Sequence, residues 1–302
     1  MPLTEQQFIE LEGNINQVWD SYHKHKENYL SSIFNIITKK TAQFTDFTVG
    51  AAGQMTEWDG SVSYDTFVKG FEKQYRPTKY STGIKVDRDM WEDKEYERIK
   101  NRVNQIAYGV HKTLTYNSAH IFNEAFSTGV YTGPDSAALI SASHKNVPTA
   151  DAQSNSGTNS LTYAGLETSR LAMEQWKDDR DDQMLIMGKM VIAGPQQRDN
   201  CAKLFGSDKE AFVGDNTINI YKDYSYMIHP LITGDKWFLV EPDLMKGGQG
   251  LNFFMRRDPR KLERDGNAAK GDFNTETLSW KSVGRWTKGW TNWFFIYGNQ
   301  PA

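Results

Sequence analysis

One cysteine, Cys201, stands in 302 residues. That excludes an intrachain disulfide and any cysteine cluster for a metal, and it fits a reducing compartment, with the thiol packed as a small apolar group under a helix. No apolar run approaches the roughly 18–20 residues that span a bilayer. The opening MPLTEQQFIELEG lacks the basic and apolar regions of a signal peptide, so a soluble intracellular product is expected. Neither sign of charge dominates: 35 Lys and Arg against 38 Asp and Glu leave −3, with no basic stripe of the nucleic-acid-binding kind.

Catalytic signatures are missing too. No G-x-x-x-x-G-K occurs; Gly247-Gly248-Gln249-Gly250 lacks the following Lys and a strand-to-helix setting. Neither H-E-x-x-H nor G-x-S-x-G appears. His23 and His25 fall on different faces of a helix, and His111 and His120 read as ordinary helix residues. Ser143-His144 is adjacent only in sequence, whereas hydrolytic partners are brought together by the fold. Asp178, Asp179, Asp181 and Asp182 supply hard oxygen ligands, but Arg180 splits them and the glycine turn of a calcium loop is absent, so a solvated turn is the better reading. No cofactor is expected. A hydrolase using His144 or the Asp178–Asp182 cluster remains an enzymatic alternative.

Aromatic residues are abundant, with nine Trp, fourteen Tyr and sixteen Phe. The strongest periodicity lies at about 89–127, where Ile99, Val103, Ile106, Val110 and Leu114 recur at steps of three and four and form one stripe of a long helix. Asp89 is the expected N-cap, with Glu92 reaching back as in a capping box. Upstream, Phe8, Leu11, Ile15 and Val18, then Tyr29, Ile33 and Ile36, predict two helical pieces separated near 23–28. With little apolar surface per turn, this arm must pack on the rest of the molecule or on neighbours.

Residues 42–82 carry strand signals and no helix. Val62, Tyr64, Thr66 and Val68 alternate as in a strand, and the whole reads either as a long projecting hairpin that needs something to lie against or as a sheet edge within the same domain. Downstream, 147–160 is a polar loop and Thr162 opens a helix through Leu166, Met173 and Trp176. Residues 189–193 form a buried strand ended by Gly194-Pro195, and a helix follows through Cys201, Leu204 and Phe205. Strands are expected at 217–221, 224–228, 236–240 and from Leu251. Trp280, Trp286, Trp290 and Trp293 crowd a terminal strand pair with its bend at Gly289, beside the long helix.

The order of these parts resembles the major capsid proteins of tailed bacteriophages, whose Hong Kong 97 phage-type (Johnson) fold is shared with encapsulins. The residues that carry the likeness are Trp58-Asp59-Gly60, KYSTGIKVDRDMWEDKEYE (79–97), LISASHKN (139–146), LTYAGLETSRLAMEQWKDDRD (161–181), KMVIAGP (189–195), HPLITGDKWFLV (229–240), LNFFMRRDP (251–259) and GRWTKGWTNWFFIYG (284–298). The Mu-like major head subunit group is the most similar. The likeness runs from about residue 45 to the end.

The resemblance implies an α+β fold with an N-terminal arm at 1–43 and an extended β-hairpin loop at 44–82. The peripheral domain would comprise 83–134 and 256–302 around the spine helix, and 135–255 would be the axial domain. It implies a structural, non-enzymatic subunit that assembles with itself through hexamers and pentamers into an icosahedral shell around double-stranded DNA, without sequence-specific contact. Portal, scaffold and decoration proteins are further implied partners, no membrane is, and assembly would occur in the host bacterial cytoplasm. Trp58, Tyr64, Phe67, Phe71 and Tyr75 of the loop, with Phe8 and Trp19 of the arm, would meet neighbouring subunits, while Ile99 to Leu114 stay internal. Only about forty residues precede the loop, so a scaffold is expected to be separate or absent. No local feature singles out Lys69 or Lys73 for the Lys–Asn crosslinks of some relatives. An encapsulin-like compartment keeps the same fold with a different cargo.

Overall fold

The computed structural model describes residues 5–24, 29–208, 218–264 and 277–301, with side chains described from residue 13 onward except that of Trp91. The N-terminal part runs α1 (Glu5–Lys24), α2 (Tyr29–Ile33), β1 (Asn35–Thr38), β2 (Phe44–Val49), β3 (Lys69–Tyr75), β4 (Thr78–Asp87), α3 (Arg88–Glu92) and α4 (Tyr96–Asn123). The middle part adds β5 (Ser156–Gly157), α5 (Tyr163–Glu174), β6 (Met190–Ala193), a 3-10 turn at Pro195–Gln197 and α6 (Arg198–Phe205). Then follow β7 (Ser225–Ile228), β8 (Trp237–Val240), α7 (Pro242–Met245), β9 (Leu251–Arg257), β10 (Leu262–Arg264), β11 (Thr277–Trp290) and β12 (Ile296–Asn299).

Two five-stranded sheets result. In the first, β1, β9, β11 and β10 follow in order and β4 pairs the other side of β11; in the second the order is β5-β12-β8-β6-β7. β2 and β3 form a separate two-stranded ribbon.

At about 42 Å, α4 is the longest helix described, and it packs on the first sheet. Ile99, Val103, Val110 and Leu114 are buried there against Leu278, Trp280 and Trp286, whereas Ile106 is half-buried and Ala107 takes the innermost place. The expected single helix over 89–127 is in fact two. Lys94 adopts a left-handed backbone (φ 58°) and turns the chain between α3 and α4, which lets Met90 enter the core while α4 follows the sheet. Asp89 is no N-cap, because Arg88 is already helical, and Glu92 accepts from Arg88 Nε at 2.7 Å rather than reaching back.

Every residue of β8 is buried, because both faces of its sheet are covered. Phe238 and Val240 enter the core shared with α4, while Trp237 and Leu239 pack with α5 and α6 in a second core. Thr162 caps α5 by accepting from Gly165 N at 3.2 Å. Cys201 lies in the second core, where burial pushes its thiol up to about 12.

Three further expectations change. The strand read over 62–68 is absent, and the ribbon uses 44–49 and 69–75 instead. The described residues of 217–221 form no strand: Asn219 donates to Leu204 O at 2.6 Å and accepts from Tyr221 N, so its side chain holds the turn. The C-terminal strands are not a hairpin bent at Gly289. β11 runs straight through Gly289 within the first sheet, and β12 belongs to the second. Consequently 256–302 divides between the sheets, and β9, from the 135–255 segment, pairs with β11 in the first. Of the two partners expected for the arm, the rest of the molecule is the one found: Ile15 and Trp19 of α1 and Leu30, Ile33 and Phe34 bury in the core with α4.

Candidate assembly surface

The β2–β3 ribbon projects from a root seated in the chain's own core. Phe44 and Tyr75 are cross-strand partners whose rings pack on Phe254 at 4.9 and 4.8 Å. Tyr75 also donates to Trp290 O at 2.6 Å, which satisfies a phenol that is only 3% exposed. Gly289 permits this approach, since a Cβ there would stand 2.5 Å from the Tyr75 ring. Thr291 Oγ1 donates to Asp46 at 2.5 Å, Thr48 Oγ1 donates to Asn146 O at 3.2 Å, and Lys73 Nζ donates to Thr132 O at 2.8 Å.

Beyond the root, both legs of the loop meet the 178–182 turn. Arg180 donates to Ala51 O (3.1 Å) on one leg and to Asp65 Oδ1 (2.5 Å) and Thr66 O (3.0 Å) on the other. Asp179 Oδ1 accepts from Ala51 N at 2.6 Å, and Asp65 Oδ2 accepts from Gly53 N at 2.5 Å, which pinches the neck. The amide and the guanidinium together hold the Asp65 carboxyl below its ordinary value. Gly50 and Gly53 supply the clearance, because added Cβ atoms would lie 2.6 Å from Asp179 Oδ2 and 2.7 Å from Arg180 NH1. Past this clasp the tip is apolar and open: Met55 is 100% exposed, Tyr64 89%, Trp58 69% and Phe67 60%. Residues 51–68 form no helix or strand. A cluster of this kind in one segment is the signature of a contact surface.

Not all of the seven expected contact residues lie there. Trp58, Tyr64 and Phe67 are at the tip or beside it, and Phe71 is half-buried at the root. Tyr75 and Trp19 are corrections. Both are internal, Trp19 being 1% exposed with its indole N–H donating to Arg260 O at 2.7 Å, so neither offers a neighbour its side chain. Phe8 lies on α1 outside the described side chains. The residue that sequence reasoning missed is Arg180. Its signal was the cation set inside an acidic turn, whose partners 115 to 129 positions away are invisible in sequence.

Neither residue set named for the enzymatic alternative is open to a substrate. His144 is buried, stacked on Trp293 (4.8 Å, 10°), with Nδ1 2.6 Å from Asp135 Oδ2 and Nε2 3.3 Å from Leu139 O. It ties the 135–147 loop to the C-terminal segment and has no open face for a substrate. The acidic cluster is engaged as well: Asp178 Oδ1 accepts from Arg180 N and Asp182 N, and Lys177 pairs with Asp181 at 2.6 Å. A buried Ser–His pair does exist, with Ser118 Oγ 2.9 Å from His229 Nε2. There, however, His229 Nδ1 accepts from Leu231 N at 3.2 Å, so Nε2 carries the proton and cannot take one from Ser118, whose hydroxyl donates to Thr115 O. Burial holds His229 down to about 4. Among the described residues, no group of three or more His, Cys, Asp or Glu is placed to hold a metal, and no helix is long and apolar enough to cross a membrane.

Against this geometry, a family model described as "Phage capsid protein" matches residues 70–297, most of the chain. The chain belongs to that family. Solved structures of similar fold include the procapsid of bacteriophage JBD30 (TM-score 0.55, 12% identity, 99% of this chain and 77% of that one). A virus-like particle from Pyrococcus furiosus matches at TM-score 0.53 and 8% identity over 95% of this chain and 98% of that one. Microbacterium phage Oxtober96 matches at 0.50 and 11% over 91% and 90%. No curated protein matches in sequence. The solved structures show the fold, which is the Hong Kong 97 type, and the family makes this chain a structural protein of the virion capsid.

Proposed function

We propose that the chain is the major shell subunit of a phage head, carrying no enzymatic activity, whose copies meet as hexamers and pentamers around double-stranded DNA after synthesis in the host cytoplasm. One observation carries the reading beyond the family. The 51–68 loop is anchored at its root and clasped at its neck, yet it exposes Met55, Trp58, Tyr64 and Phe67 to solvent. A monomer gains nothing from this arrangement, whereas a neighbour's surface would bury roughly 150–250 Å² per aromatic side chain. Many modest contacts of this type become cooperative when a symmetric shell closes. The near-neutral charge suits a wall that surrounds DNA without gripping it. An encapsulin-like compartment shares the fold, but the family match favours the phage head.

Sedimentation velocity and negative-stain microscopy of the purified chain test this reading. Uniform shells, or rings of five and six, are expected. A chain that stays monomeric at every concentration and salt would overturn it.

A further inference from the structure

The face of α4 turned away from the sheet is polar, and its charge has one sign. Asn101, Gln105, Tyr108, Lys112 and Tyr116 recur on it at steps of three and four, all exposed, opposite the buried stripe. Beyond Glu97 in its first turn, α4 holds no Asp or Glu, although the whole chain carries more carboxylates than cations. On one flank Arg98 and Arg102, a turn apart, meet Lys85 of β4 in a groove of about 580 Å³ that no carboxylate lines. Lys100 is exposed on the other flank. Glu95 answers Arg98 at 2.9 Å, but among the described residues no carboxylate pairs with Lys100, Arg102 or Lys112.

No run of basic residues announces this band, because Lys85 comes from a different element and neutral residues separate the others. Arg and Lys set among Asn, Gln and Tyr are the side chains that bond phosphate oxygens without reading sequence. An acidic protein segment would satisfy the cations but leave the amides and phenols of the crest without a purpose. At about 42 Å, the helix is slightly longer than one turn of duplex, roughly 34–36 Å.

Resting on the shell-subunit reading, we propose that this face of α4 lines the shell and touches the phosphate backbone of the enclosed double-stranded DNA. Lys85, Lys100, Arg102 and Lys112 supply the charge, and the crest amides and phenols supply neutral hydrogen bonds. Contact by one subunit is weak, and repetition over the wall makes it count. The near-neutral whole is compatible with this, since the cations are gathered on one face and the surplus carboxylates lie elsewhere.

Fluorescence anisotropy of a duplex of about 30 base pairs, with full-length unassembled chain across roughly 50–200 mM salt, reads the contact. The logarithm of the binding constant should fall against the logarithm of salt with a slope of about −3 to −4. Arg102→Gln with Lys112→Gln should reduce that slope by about two and weaken binding about tenfold at the lowest salt. Lys79 and Lys281 lie on the sheet face away from α4, alternating with the buried Ile84 and Trp280. Lys79→Gln with Lys281→Gln should therefore bind as wild type does. An α4 double that binds like wild type, or a sheet double weakened as much, would overturn the proposal. So would polyglutamate of equal charge binding as tightly as the duplex, which would mark a surface for acidic protein. Acetylation of the wild-type chain needs no variant to fold: the duplex should slow modification of Lys100 and Lys112 severalfold and spare neither Lys79 nor Lys281. Equal protection at all four would reject the lining. Particles formed by a chain whose α4 fails these tests would leave the shell reading standing, whereas a wild-type chain that makes no particles would refute that reading and the lining with it.

Discussion

Lys288 lies on β11 with its ammonium almost wholly buried, reaching Asn117 O and Asn117 Oδ1 (3.2 Å) and facing the Tyr131 ring at 5.2 Å rather than a carboxylate. Desolvation brings its pKa down to about 7, against about 10.4 in an unfolded chain. Between these values the unfolded chain binds a proton that the folded chain has released, so stability rises with pH across about 7 to 10 and the burdened form is the one below 7. Each pKa unit corresponds to about 1.4 kcal/mol, which sets an upper bound of roughly 4–5 kcal/mol on the cost at pH 6. Lys288→Met should therefore stabilise the unassembled chain, by roughly 2–4 kcal/mol at pH 6 and far less at pH 9.5. Denaturant unfolding of both proteins at the two pH values measures the difference; an equal gain at both would reject the assignment. At this scale aromatic identity was a poor guide. Trp19 and Tyr75 are as aromatic as Trp58 and Tyr64, but exposure depends on Arg260 and Phe254, far away in sequence.

Among the elements, the extended loop shows how far pattern reading goes. Val62, Tyr64, Thr66 and Val68 alternate as a strand does, yet they have no partner strand to complete the ladder, and a lone extended segment does not form a sheet. Its conformation is instead held at the neck by Arg180. Arg180→Ala should leave the fold and melting temperature close to wild type, because the clasp is exposed and outside both cores. It should speed chymotryptic cleavage at Trp58, Tyr64 and Phe67 in the unassembled chain by about tenfold, since local opening controls access. Unchanged cleavage would reject the clasp. The terminal strand was misread for a related reason. Gly289 looked like a bend, but its missing Cβ serves the Tyr75 ring, a contact with no local signature.

For the whole molecule, the ribbon's root belongs to the subunit, and its tip is the part that the proposed function gives to the assembly. Replacing residues 54–64 with a short Gly/Ser linker keeps β2, β3 and the Phe44–Tyr75–Phe254 cluster. That variant should fold with a melting temperature within a few degrees of wild type and remain as unassembled subunits on sedimentation. Wild-type particles from it would reject the role given to the loop. A wider deletion through residue 74 would remove β3 as well, and would test folding rather than assembly.

Sequence alone determined the α+β class, α4 with its buried stripe, the strands β6 to β9, α5 with its Thr162 cap, and the order of parts that resembles phage capsid subunits. The elements rest on local periodicity, capping and punctuation, which act within a few residues, and the α+β class is what the resemblance of their order implied. Only the tertiary structure decided that β9 and β12 exchange sheets, that α1 is internal, that Lys94 breaks the long helix and that Arg180 holds the loop. Each of those depends on contacts between distant segments, where packing and paired charge override the local preference of any single stretch.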